Sequence, residues 1–279
     1  MINYYLLIKP GIIIGNLIAV AAGVALASHG PINVFLLLAT LLGLGCVIAS
    51  ACVCNNYIDR HIDGKMNRTK NRPFARGTIS IKKAFIFAIV LWFLGNLVLG
   101  TSTNLLTVSI ANLGFCVYVF LYSLWKSRTI YGTAIGSIAG GIPPLVGYCA
   151  VSNQLDVGAW IFFAIMVLWQ MPHFFAIAIY RLEDYKSAAL PLLPIKRGLL
   201  RTKIHMLIYI VAFLFATAGL TLSGYMGKIY LICALILALA WLVLCIQGFK
   251  SKNDQLWGKQ MFRFSLIVIM GLFSTIFFF

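Results

Sequence analysis

Residues 34–63 read VFLLLATLLGLGCVIASACVCNNYIDRHID, and the way this run ends decides the fold. From Val34 to Asn55 no side chain carries a charge. That is enough chain to cross the hydrocarbon core of a bilayer, which takes about 20 mostly apolar residues. Two carboxylates, Asp59 and Asp63, then follow without an intervening turn signal. Asn55, Asp59 and Asp63 are spaced i, i+4, i+8, so on a helix they share one face and drift by only about 40° per step. Acids are scarce in this chain: six Asp+Glu stand against 22 Lys+Arg among 279 residues. A pair of them on one helix face at a membrane boundary is a functional signal, because ionisable groups there are costly.

Working outward, the same apolar density recurs. The chain is 62% hydrophobic and 10% charged, with a mean hydropathy of +0.97. This excludes an ordinary soluble domain. Nine spans are expected, at 10–28, 34–55, 82–100, 104–124, 131–151, 158–180, 204–223, 228–248 and 261–279. They predict an all-α, polytopic membrane protein forming a single domain over 1–279. The first run lacks a signal-peptide cleavage pattern and reads as a retained span. The segment 60–81 reads as a partly helical cap over the bundle.

The basic residues test the span count. With the N-terminus in the cytoplasm, every Lys and Arg except Lys228 falls on the cytoplasmic side, as the positive-inside rule requires. The formal charge of +16 is therefore an orientation signal, with some residues meeting anionic lipid, and no nucleic-acid partner is expected. The C-terminus falls on the opposite side. The seven cysteines lie in apolar runs without a CxxC and read as small apolar residues.

Behind the two acids come Arg68, Lys70 and Arg72. Carboxylates beside a cation cluster suit a metal–diphosphate group, the acids holding Mg²⁺ and the cations holding phosphate oxygens. Further on, Tyr118, Tyr122 and Lys126 share a face, with Arg128 beyond. They read either as an interfacial anchor or as additional diphosphate ligands. Trp169-Gln170-Met171-Pro172-His173 places a histidine inside a span, beside a proline whose kink would open a pocket. A lone histidine is more often a satisfied core residue than a ligand. Arg181 and Asp184 follow as i, i+3 partners. The glycines from Gly132 to Gly147 read as helix-packing positions.

Taken together, Lys9-Pro10-Gly11, the Asn55/Asp59/Asp63 run with Arg68 and Arg72, Tyr122 with Lys126 and Arg128, Gly141-x-Pro143-Pro144, Trp169 to His173, and Asp184-Tyr185 to Pro194 resemble the UbiA-type intramembrane prenyltransferases. Within that family the likeness is to the branch that farnesylates haem. It extends across roughly residues 5 to 250. The resemblance implies a UbiA-like bundle and transfer of farnesyl from farnesyl diphosphate to a vinyl of haem b, with hydration, giving haem O and diphosphate. It implies Mg²⁺ as cofactor, with Asp59, Asp63 and Asp184 as metal ligands. The same three and His173 are the implied catalytic residues; His173 either ligates haem iron or handles the proton of water. Asn55, Arg68, Lys70, Arg72, Lys126, Arg128 and Arg181 are the implied diphosphate ligands. The implied setting is the bacterial inner membrane, with the site facing the cytoplasm and a haem A synthase or terminal oxidase as partner.

The family pattern carries two acids four apart in the second motif. Here that pair is Tyr180 and Asp184, and Glu183 points about 100° away around the helix. Two other readings stand beside the enzyme. A haem transporter fits the number of spans, but its acids belong at the midplane rather than at one face. A CDP-alcohol phosphotransferase is faintly suggested by Asp63-Gly64, but its longer aspartate pattern is not continued.

Overall fold

The computed structural model describes residues 2–28 and 30–278. All of its regular structure is helical among those residues. A short α1 (Ile2–Leu7) leads to α2 (Pro10–Ala27) and α3 (Val34–Ile58), and one further turn, α4 (Arg60–Asp63), carries the acids. After a run of hydrogen-bonded turns come α5 (Ile81–Ser102) and α6 (Leu105–Cys116). The latter continues through a π-helical turn, Val117–Tyr122, into α7 (Ser123–Trp125). Then follow α8 (Gly132–Ser152), α9 (Val157–Tyr180), α10 (Leu182–Ser187) and α11 (Leu193–Lys196). The last three long helices are α12 (Leu199–Leu222), α13 (Lys228–Gln247) and α14 (Asp254–Phe278).

Nine helical segments among the described residues are long and apolar enough to cross a membrane. Large apolar side chains cover their outer faces: Ile86, Ile89 and Phe93 on α5, and Ile208 and Phe215 on α12, are all more than half exposed. Such a surface suits lipid, and the chain is an integral membrane protein.

Polar caps set several helix starts. The side chains of Asn33, Asn104 and Asp156 accept the backbone N–H of Leu36, Thr107 and Ala159 at 2.9–3.1 Å. Asn16, inside α2, donates to the Ile12 carbonyl of its own helix at 2.7 Å.

Three span boundaries differ from expectation by three residues or more. Helix α3 runs to Ile58 rather than 55, α12 begins at Leu199 rather than 204, and α14 begins at Asp254 rather than 261. The expected end at 279 lies outside the described residues. The two early starts each carry one end of a single ion pair. Lys203 is buried in α12, where its ammonium donates to Asp254 at 2.5 Å and to the Gly248 carbonyl at 2.7 Å. A charge satisfied in this way does not end a helix, although its hydropathy says that it should.

The contacts divide the chain into two units, Met1–Ser127 with Ile142–Gln154, and Arg128–Gly141 with Leu155–Phe279. In the first, α3 is the central helix, touching α1, α2, α4, α5, α6 and α7. Its crossing with α5 is backbone-close. A Cβ added to Gly95 would strike the Gly43 carbonyl and Val47, and one added to Gly43 would strike Leu99. Gly95→Leu is therefore expected to destabilise the protein by about 1–3 kcal/mol. This is read as a lowered thermal midpoint in detergent, and an unchanged midpoint would contradict the close crossing.

In the second unit α9 is central, packed by α12 and α14. Helix α9 stays helical through Pro172. The glycines of α8 do pack as expected. Gly140 has no room for a Cβ beside the Gln170 side chain, and Gly147, in the first unit, has none beside the Val20 backbone.

Candidate active site

The acidic end of α3 is built by an uninterrupted hydrogen-bond ladder. Asp59 N–H donates to the Asn55 carbonyl at 2.9 Å and Asp63 N–H donates to the Asp59 carbonyl at 2.8 Å. The i, i+4, i+8 register is kept although α3 gives way to α4 at Asp59. Both carboxylates are buried, Asp59 at 3% and Asp63 at 2% exposure. Buried acids need partners, and each finds a cation within its own unit. Lys126 bonds Asp59 Oδ2. Arg72 Nη1 lies 2.9 Å from both oxygens of Asp63.

Asn55 is clamped at both ends of its amide. Its Oδ1 accepts from the Lys9 ammonium, and its Nδ2 donates to Ser123 Oγ at 2.8 Å. Ser123 Oγ in turn donates to the Tyr118 carbonyl at 2.8 Å. The backbone N–H of Ser123 reaches that same carbonyl, five residues back, which is the bond that makes the turn a π-helix. Lys126 resumes the i→i+4 pattern on Tyr122 at 2.9 Å. Tyr118 and Tyr122 stack with centroids 5.4 Å apart, and the Lys126 ammonium lies 5.0 Å over the Tyr122 ring. The expected shared face is present.

The electrostatics of the cluster are those of crowded cations. Burial works against the Lys126 charge, but Tyr122, Asp59 and Asp63 outweigh it and hold the ammonium above its ordinary range. Lys9 is pushed down to about 8, first by burial and then by Arg72 and Lys126. One atom is left over. Asp59 Oδ1 is buried and has no hydrogen-bond partner.

Other sequence-predicted ligands sit differently. Arg68 and Lys70 are exposed, and Lys70 donates to Asn67 at 3.0 Å. Arg128 is exposed and belongs to the second unit. The Arg181 guanidinium lies 5.0 Å over the Tyr180 ring, and the i, i+3 ion pair of that segment is Lys186–Glu183 at 2.9 Å. Asp184 is half-buried on α10. Sequence reasoning missed Lys9 and Ser123 as the groups that orient Asn55. The signal for Lys9 was its position: a lone cation immediately before Pro10, at the start of a span.

In the second unit His173 is buried and enclosed by aromatic rings. Trp169 stacks on it at 4.7 Å, with Phe262 at 5.2 Å and Phe174 at 5.6 Å. His173 Nδ1 lies 2.7 Å from Ser265 Oγ. Since Ser265 donates its own proton to the Phe262 carbonyl at 2.6 Å, the imidazole donates to Ser265. The proton is thereby assigned to Nδ1, leaving the lone pair on Nε2. Ser265→Ala is expected to cost about 1–2 kcal/mol, seen as a lower thermal midpoint. No loss would show that the bond does not hold the ring.

This unit also contains a cavity on another face of α9 from His173. A hollow of about 260 Å³ is lined by Met171 and Phe175 of α9 together with Arg197, Arg201, His205 and Tyr209. His173 does not line it. Met171 and Phe175 are i, i+4 on α9, whereas residue 173 points about 200° away from 171.

A helical membrane bundle with buried, cation-paired aspartates at the end of one span defines a class, and the chain falls in it. It belongs to the UbiA prenyltransferase family, whose model matches residues 16–267. Its sequence is 56% identical over 277 residues to the protoheme IX farnesyltransferase of Protochlamydia amoebophila, covering 99% of this chain and 98% of that protein. It is 50% identical over 271 residues to protoheme IX farnesyltransferase 2 of Pseudomonas aeruginosa PAO1, covering 97% and 92%. In fold it matches a digeranylgeranylglyceryl phosphate synthase structure with a TM-score of 0.81 at 20% identity, covering 99% of this chain and 98% of that one. A UbiA homologue from Archaeoglobus fulgidus, bound to GPP and Mg²⁺, matches with a TM-score of 0.70 at 17% identity, covering 98% and 99%.

Proposed function

We propose that this chain transfers the farnesyl group of farnesyl diphosphate to a vinyl of haem b, with addition of water, giving haem O and diphosphate. The names of the relatives support the acceptor and donor. The observation that carries the chemistry is Asp59 Oδ1. A buried carboxylate oxygen without a donor is costly, and a divalent cation would satisfy it. Asp63, one helical turn on, supplies the second carboxylate. Mg²⁺ usually takes one or two carboxylates and completes its shell with water and substrate oxygens, which the Asp59/Asp63 pair would allow. When bound, Mg²⁺ supplies Lewis-acid neutralisation of charge on the departing diphosphate.

The chain's own residues do the rest. Asn55, held rigid by Lys9 and Ser123, presents an oriented amide beside the acids. Lys126 and Arg72 neutralise the carboxylates in the structure and serve as phosphate ligands in the reaction, where charge accumulates on the leaving group. Arg68 and Lys70, exposed on the same loop, are proposed to reach the outer phosphate. Asp184, Arg128 and Arg181 keep the roles that the family resemblance gives them, as a further metal ligand and two phosphate ligands. His173, with its lone pair on Nε2 inside an aromatic enclosure, is proposed to act on haem iron or on the proton of the attacking water.

The reading treats the whole chain as one catalytic domain in the bacterial inner membrane. Its N-terminus and acid-bearing loops are cytoplasmic, its C-terminus is opposite, and a haem A synthase or terminal oxidase receives the product. The test is direct. Purified protein with haem b, farnesyl diphosphate and Mg²⁺ is expected to yield a hydroxyfarnesylated haem by mass, and a chelator is expected to abolish it. No product, or transfer to a quinone precursor in its place, overturns the assignment.

A further inference from the structure

Arg197 and Arg201 are exposed and form no ion pair among the described residues. Exposed Lys196 beside them does not border this cavity. Arg197 and Arg201 differ because both border the cavity of the second unit. Arg201, His205 and Tyr209 are spaced i, i+4, i+8 on α12, so they form one stripe down the cavity wall. The opposite wall is Phe175, whose ring centroid lies 6.4 Å from both His205 and Tyr209. The hollow is therefore cationic at its mouth and aromatic further along.

This gradient fits one kind of molecule: a flat, apolar ring system with two carboxylates on one edge. Guanidinium groups bind carboxylates in paired, bidentate fashion. Haem b carries two propionates on one side of its macrocycle and its vinyl groups on the pyrroles away from them. We propose that this cavity seats the carboxylate edge of the haem acceptor, with Arg197 and Arg201 pairing with its propionates and the aromatic wall meeting the macrocycle. Seated this way, the vinyl-bearing side is directed away from the basic mouth, and His173, on the other face of α9, is left the role on the proton of water rather than the one on iron. The proposal rests on haem b being the acceptor.

The test titrates the full-length protein, in phosphatidylcholine nanodiscs, with haem b and with its dimethyl ester, in which both propionates are masked. Binding is followed by the Soret band, and farnesyl diphosphate binding is measured separately as a check on folding. Wild-type protein is expected to prefer haem b over the ester by about tenfold or more. The Arg197→Gln/Arg201→Gln variant is expected to lose that preference and bind both forms equally, with farnesyl diphosphate binding unchanged. If the variant keeps the wild-type preference, or if wild-type protein binds both forms alike, the cavity assignment falls while the acceptor reading stands. If wild-type protein binds neither form, the acceptor reading falls and takes this one with it. Arginine-dependent retention of phosphatidylglycerol without any preference for haem b would assign the hollow to a lipid head group and overturn the proposal.

Discussion

Asp59→Asn protein is expected to insert, purify and unfold much like the parent, yet release diphosphate from farnesyl diphosphate at least about 10²–10³-fold more slowly. The substitution keeps the size of the side chain and removes its charge. Its Oδ1 is the buried oxygen without a donor, and the other oxygen is the partner of Lys126. Stability is spared because an amide oxygen still accepts from Lys126, so no buried ammonium is left bare. Catalysis is not spared, since a neutral amide is a poor ligand for a hard divalent cation. Asp63→Asn is expected to behave similarly. Near-normal turnover of either variant in Mg²⁺ would remove these carboxylates from the metal site.

The second large effect is on stability. Lys203→Met strips the buried partner from Asp254 and leaves the Gly248 carbonyl with only the Ser251 N–H, at 3.2 Å. Breaking a buried ion pair costs roughly 3–5 kcal/mol. Here less than that, about 2–3 kcal/mol, is expected, because the Asp254 side chain is 28% exposed and water can reach it. The Lys203→Met/Asp254→Asn double variant is expected to recover part of the loss, since it removes the uncompensated charge as well. Thermal unfolding of the four proteins in one detergent measures the coupling. Additive losses would mean that the pair contributes nothing as a pair.

These two residues also show what could be read from the amino-acid sequence. The nine spans follow from apolar length, and the spacing of the basic residues agrees with that count. The Asn55/Asp59/Asp63 face follows from helix geometry, and the structure keeps it. What hydropathy misreads is charge that finds a distant partner. Lys203 counts as loop in a local window because Asp254 stands 51 residues away. The clamp on Asn55 was hidden for the same reason: Lys9 is 46 residues away and Ser123 is 68. The cavity beside Met171 and Phe175 was not legible, because a proline marks where a helix can bend, not which of its faces has room beside it. Arg197, Arg201 and His205 fall in a basic stretch that looks like orientation signal until α9 is set against it.

The single wide turn at Val117–Tyr122 has a bearing on how this protein tolerates change. It holds one residue more than an ordinary helical turn of the same rise, so everything after it is out of phase with α6 by about 100°. Ser123 and Lys126 reach Asn55 and Asp59 only in that shifted phase. Losing one residue inside the turn would swing both away from the acids while leaving the span long enough to cross the bilayer. The chain could then still be made, inserted and counted as a nine-span protein, with Lys126 turned aside from Asp59. Length variation in this span is thus constrained by chemistry at its end rather than by membrane thickness.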